Sequence, residues 1–209
     1  MIHEVLPVGV LGCNCSIIGD EESLEAVVID PGDEISKIEE ILHRNQLKVK
    51  MIVITHAHID HIGGAEKLRA ITRAPVYMHD ADKFLADQLP VQAAWLGIEP
   101  PQNPGIDTPA REGDIIRAGY VEAHVIHTPG HTPGSISLYL PDAKKLIAGD
   151  TLFEGSIGRT DLPGGDTAQI DRSIRGKLYT LPEDTIVYPG HGATTTIGHE
   201  KKHNPFVRG

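Results

Sequence analysis

The chain has 209 residues, enough for one domain with a substantial core, and its apolar fraction of 40% is ordinary for a folded protein. No apolar run approaches the roughly 18 residues of a membrane-spanning helix. The net charge of −10, from 19 basic and 29 acidic residues, works against binding nucleic-acid backbones or anionic lipid by general attraction.

The first residues, Met1-Ile2-His3-Glu4, lack the basic patch and apolar core of a secretory signal, so the chain is expected to stay in the cytoplasm. Strands are predicted at about 3–9, 14–19 and 25–30, then a helix at about 34–45 with Ile35, Ile38, Ile41 and Leu42 on one face and Asp33 as its N-cap. Cys13 and Cys15 fall in the second strand. At i, i+2 they share a face, are too close in sequence for an easy disulfide, and read as buried thiols. Met51 to Ile54 is a continuous apolar run, the mark of a strand buried on both sides. A helix at about 65–73, a strand at 76–79 and a short helix near 80–88 follow.

Residues 90–113 carry Pro90, Pro100, Pro101, Pro104 and Pro109, which argue against a helix or central strand. This stretch is expected to be a lid or a surface excursion, with Trp95 either a wall of a substrate groove or an anchor of the loop. Strands return at about 115–118, 121–127, 135–140 and 144–149, then a helix at 167–180 begun by Asp166 and Gln169, and a last strand at 185–188. The whole chain, 1–209, reads as one domain of two sheets covered by helices.

The twelve histidines raise the question of whether they converge. The segment Thr55-His56-Ala57-His58-Ile59-Asp60-His61 follows the buried strand directly and ends at Gly63-Gly64. His56 and His58, at i, i+2, leave an extended segment on the same side, and Asp60 and His61 come where the chain must turn. Neutral imidazole and carboxylate suit zinc, iron or manganese, and these four donors exceed what one metal normally takes from one loop. Three further strands end the same way, in Pro129-Gly130-His131, Gly149-Asp150 and Pro189-Gly190-His191-Gly192. Strand ends on one rim hold functional groups on a rigid scaffold.

His-x-His-x-Asp-His, a His after Pro-Gly, a Gly-Asp and a late Gly-His, in that order, resemble the metallo-β-lactamase superfamily and its glyoxalase II-like branch over essentially the whole chain. The resemblance implies an α/β fold, a four-layer αββα sandwich, with two divalent metals, zinc foremost and iron or manganese accepted by the same donors. It implies that His56, His58 and His131 hold one metal, that Asp60, His61 and His191 hold the other, and that Asp150 bridges them. The implied reaction is attack by a metal-bridging hydroxide on a thioester such as hydroxyacyl-glutathione, with Asp60 also orienting the hydroxide. Thr55, Thr128 and Thr151 flank the ligands as candidate orienting groups.

The Gly-rich segment 155–166 is expected to line the substrate entry. Arg159 stands where glutathione-thioester hydrolases of this branch keep Lys and Tyr contacts, although pairing of Arg159 with Asp161 would make it purely structural. Longer members add a C-terminal helical domain with further glutathione contacts. This chain ends at Gly209 and resembles the short form. A persulfide dioxygenase, with one iron on two His and one Asp, shares a Gly-Arg-Thr-Asp segment like residues 158–161 and is the alternative, together with hydrolysis of another ester or lactone. His199 and His203, at i, i+4, have no third donor beside them, and Lys201 and Lys202 read as a solvated face.

Overall fold

A computed structural model describes residues 1–209. Its contacts divide the chain into two compact units, residues 1–110 with 117–121, and residues 111–116 with 122–209.

The first unit opens with β1 (Ile2–Val8), β2 (Cys13–Gly19) and β3 (Glu25–Ile29), joined antiparallel. Helix α1 (Ile35–Arg44) then crosses to β4 (Lys48–Ile54), which lies parallel to β3. Helices α2 (Ile59–Ile62) and α3 (Ala65–Thr72) follow, then β5 (Val76–Met78), α4 (Lys83–Asp87), α5 (Leu89–Leu96) and the short β6 (Thr108–Pro109). The six strands pair in the order β1-β2-β3-β4-β5-β6. The apolar stripe of α1, namely Ile35, Ile38, Ile41 and Leu42, packs in one cluster with Cys13, Cys15, Ile17, Ile52, Ile54 and Leu68. Ile52, Val53 and Ile54 are all fully buried, as the unbroken apolar run predicts.

The second sheet takes β7 (Ile115–Ala118), inside which the division between units falls, and β8 (Val121–His127), β9 (Ile136–Leu140) and β10 (Lys145–Gly149). A small hairpin of β11 (Leu152–Phe153) and β12 (Ser156–Ile157) precedes α6 (Thr167–Gly176). The chain closes with β13 (Ile186–Pro189), β14 (Thr195–Thr196) and α7 (Ile197–His203). Strand order is β14-β13-β10-β9-β8-β7, with β10 and β13 parallel. Ile170 and Ile174 of α6 pack with Leu146, Ala148, Val187 and Ile197.

Several expectations change. Asp33 does not cap α1: Glu34 holds that position at φ 51, and Asp33 only accepts the Glu34 N–H. Asp166 does cap α6, accepting Gln169 N–H at 2.9 Å. That helix stops at Gly176 and a 3₁₀ turn over Leu178–Thr180 follows, shortening the predicted 167–180 span. The Pro-rich stretch contains a helix, α5, because Pro90 sits in its first turn, where no intrahelical donor is needed. No helix is long and apolar enough to cross a membrane.

Candidate metal centre

In the first unit β4 delivers Thr55 to His58 at its C-terminal end, and the chain then coils into α2, with His58 at its N-cap in extended conformation. The His56 and His58 rings meet edge to face with centroids 4.8 Å apart, and His56 and His61 lie 4.0 Å apart. His61 Nε2 stands 3.7 Å from Asp60 Oδ2. The donors of this segment therefore converge locally.

A carboxylate that the sequence reading missed organises them. Asp30, 1% exposed at the end of β3, accepts the Thr55 N–H at 2.7 Å, the Thr55 hydroxyl at 2.6 Å and His61 Nδ1–H at 2.9 Å. The Thr55 hydroxyl in turn sits 3.1 Å from His56 Nδ1. With its proton given to Asp30, Thr55 Oγ1 accepts from that ring nitrogen. One buried carboxylate thus fixes, directly or through Thr55, the tautomer in which Nε2 carries the lone pair on both imidazoles, the form a cation requires. A signal was present: Asp30-Pro31-Gly32 after an apolar strand repeats the pattern of the other strand ends. Cys13 Sγ lies 3.4 Å from His61 Nδ1, and its burial pushes the thiol up to about 11. It is a neutral wall of the site, as expected of a core thiol.

Two more buried side chains hold the loop. Asp82 accepts the Ala57 N–H at 3.0 Å. Gln92 of α5 accepts the Ile59 N–H at 2.9 Å and donates to the carbonyls of Ala57 and Leu85 at 3.3 and 2.9 Å. The stretch expected to be a lid or a surface excursion therefore supplies a clamp for the donor loop. Gly32 lets the turn after β3 touch α2, since a Cβ there would stand 1.6 Å from the Asp60 carbonyl oxygen.

In the second unit the ends of three strands converge. Asp150 follows β10, His191 follows β13, and the Gly190 N–H donates to the Gly149 carbonyl at 2.8 Å, locking the two ends together. Asp150 Oδ2 lies 3.6 Å from His131 Nε2 and 3.8 Å from His191 Nε2. His131 is 3% exposed, and its Nδ1–H donates to the Arg159 carbonyl at 2.7 Å, again directing Nε2 toward a cation. The turn that brings this carbonyl round needs Gly158, where a Cβ would sit 1.9 Å from the Asp150 carbonyl oxygen. Thr128 and Thr151 do not orient ligands. Their hydroxyls bond each other at 3.0 Å. Both donor sets, fixed imidazoles beside carboxylates, fit divalent metal.

Arg159 pairs in bidentate fashion with Asp161 at 2.7 and 2.8 Å, and that bond holds the Asp161 carboxyl at about 2. Its guanidinium is thus engaged in the structural pairing, while its backbone positions His131. Trp95 is 64% exposed. Its neighbour Leu96 lines instead a cavity of about 320 Å³ that Asp60 also borders. His199 and His203 stack on α7, centroids 4.9 Å apart, outside the groups of three or more donors. Lys202 pairs with Glu183 and Lys201 donates to the Tyr179 carbonyl.

The sequence profile of the Metallo-beta-lactamase superfamily matches residues 8–191. The chain is 40% identical to hydroxyacylglutathione hydrolase GloC of Haemophilus influenzae over 211 residues, covering 98% of this chain and 97% of that protein. Among solved structures, BLEG-1 B3 metallo-beta-lactamase is 38% identical and matches with a TM-score of 0.91 over 100% of both chains. TTHA1623 in a di-iron-bound form is 36% identical, with a TM-score of 0.87 over 98% of this chain and 100% of that one. The mixed α/β architecture, sheets flanked by helices, is the fold of these neighbours.

Proposed function

The chain belongs to the metallo-beta-lactamase superfamily, and on that premise we propose that it is a dinuclear thioester hydrolase acting on hydroxyacyl-glutathione or a related acyl thiol. The observation that supports the dinuclear part is Asp150, one oxygen of which lies 3.6 and 3.8 Å from two imidazole nitrogens assigned to different ions, a placement that suits a shared carboxylate. The likeness to hydroxyacylglutathione hydrolase GloC over nearly the whole chain supports the substrate class.

In this reading His56, His58 and His131 would hold one ion, Asp60, His61 and His191 the other, and Asp150 would serve both. Zinc, iron and manganese all suit these donors, and the di-iron form of TTHA1623 supports occupancy by two ions. When bound, such ions supply hydroxide at neutral pH and polarise the carbonyl under attack. Asp60 orients the attacking oxygen through its carboxylate. Asp30, directly or through Thr55, and the Arg159 carbonyl hold the His61, His56 and His131 imidazoles in one tautomer. The leaving sulfur needs no proton from the chain, because a thiol of ordinary acidity, pKa about 8.5, departs readily as the thiolate. That frees the site from supplying a general acid and agrees with a donor set made only of ligands and their supports.

The test is an assay of purified protein with lactoylglutathione, and with glutathione persulfide under oxygen, alongside metal counting. Thioester cleavage with two metals per chain is expected. One iron per chain with oxygen uptake would overturn the hydrolase and establish the dioxygenase.

A further inference from the structure

The cavity beside Asp60 has a chemistry that neither metal binding nor core packing explains. Val10 and Leu11, on the turn between β1 and β2, are 81% and 48% exposed, and Leu96, the last residue of α5, and Ile98, just beyond it, are 38% and 42% exposed. All four line this one space of about 320 Å³. Leaving four aliphatic side chains wet around one concavity costs stability, and such a patch marks a place where an apolar group is received. The walls are fixed rather than collapsible. The β1–β2 turn is closed by the Gly12 N–H to the Gly9 carbonyl at 3.2 Å and tied to α1 by the Gly9 N–H to Glu34 at 3.2 Å. The other wall is held by the Ile98 N–H to the Ala93 carbonyl at 3.1 Å and stiffened by Pro100 and Pro101.

Charge narrows the occupant. Asp33, Asp60 and Glu99 line the cavity against a single cation, Lys67. Along the wall away from the metal ligands, Asp33 and Glu99 outnumber Lys67, so a second carboxylate or a phosphate lying against that wall is disfavoured. Size narrows it further. The volume lies at the bottom of the range of about 300–1,000 Å³ for small-molecule pockets, room for a short chain rather than a whole carrier thiol, and the common carrier thiols are anionic.

We infer that this cavity is the acyl subsite of the thioester hydrolase proposed above, and that it selects neutral aliphatic acyl groups over acyl groups bearing a second carboxylate. The inference rests on that reading for the reaction, but the cavity's preference can be measured separately from turnover.

The kinetic arm uses N-acetylcysteamine thioesters of acetate, butyrate, hexanoate and succinate, so that the thiol is constant and neutral. The ratio kcat/KM should rise up to about fourfold per methylene until the cavity fills, and succinyl should fall below butyryl. Ile98→Ser and Val10→Ser, at positions exposed enough not to threaten folding, should flatten the hexanoyl-to-acetyl ratio. A series flat in chain length, or succinyl matching butyryl, would overturn the assignment. The binding arm needs no catalysis. Hexanamide, acetamide and succinamate are titrated by the fluorescence of Trp95, the sole tryptophan and the residue next to Leu96, and by calorimetry. Hexanamide binding more tightly than the other two, and weakened by Ile98→Ser, supports the subsite even if no thioester is cleaved, in which case only the reaction falls. Equal binding of all three amides would sink the subsite whatever the reaction proves to be.

Discussion

Replacing Asp30 by asparagine would test whether one carboxylate sets the imidazoles of the 56–61 segment. Oδ1 accepts the Thr55 N–H at 2.7 Å, while Oδ2 takes both the Thr55 hydroxyl at 2.6 Å and His61 Nδ1–H at 2.9 Å. An amide has a single acceptor oxygen. Turned toward the two Oδ2 donors, it sets its NH₂ against the Thr55 N–H; turned the other way, it faces two donors with an NH₂. The first orientation costs less: one buried N–H loses its acceptor, about 1–3 kcal/mol, and the two surviving bonds lose their charge assistance. A change of this kind behind a ligand typically weakens metal binding by about 10–100-fold. Urea unfolding of metal-free protein measures the first effect and chelator competition for zinc the second. Ile38→Ala is the comparison: fully buried in the α1 packing, it should lose about 2–5 kcal/mol while zinc affinity stays at the wild-type level. Zinc affinity of Asp30→Asn within about twofold of wild type, against the expected loss, would refute the reasoning, and so would an equal loss in Ile38→Ala.

Other consequences can be checked in parallel. Gly158→Ala would drive a methyl to 1.9 Å from the Asp150 carbonyl oxygen and 3.1 Å from His131 Cβ, so it should cost at least about 1–3 kcal/mol and lower Tm; an unchanged Tm would show that the turn is not packed there. Gln92→Met keeps the volume but removes the acceptor of Ile59 N–H and both donated bonds. It should lower stability by about 1–3 kcal/mol and weaken metal retention against a chelator, and full retention would separate α5 from the donor loop. Asp161, held at about 2 by Arg159, supplies stability that is present above the ordinary carboxylate value and fades as pH falls from 3.8 toward 2. Titration of its carboxyl by NMR should give that low midpoint and return it to near 3.8 in Arg159→Ala; an ordinary midpoint in the wild type would mean the pair does not persist in solution.

What the sequence made legible was local. The donor segment 56–61 announces itself because its ligands sit side by side, and the strand-end glycines mark where His131, Asp150 and His191 must turn. Supports were harder to read. Asp30 reaches Thr55 and His61 across 25 and 31 residues, and Gln92 reaches Ile59 across 33, so no periodicity links them. His131 is oriented by a backbone carbonyl, to which the identity of Arg159 contributes nothing visible. Residues 90–113 differ from expectation because the effect of a proline depends on its position. In the first turn of α5 it is compatible with a helix, and the helix brought Gln92 into place.

The parallel pairings of β3 with β4 and of β10 with β13 also set a timetable. Parallel neighbours cannot zip from a tight turn. Each must wait for its crossover, α1 in one case and residues 150–185 in the other. Asp30 therefore meets His61, and Asp150 meets His191, late in folding. The donors His56, His58, Asp60 and His61, by contrast, are neighbours from the moment of synthesis. A cation arriving early finds a chelating peptide before it finds a coordination sphere, and by binding the unfolded chain it competes with the native one. Refolding in chelator with zinc added afterwards should load faster and more completely than refolding in zinc from the start.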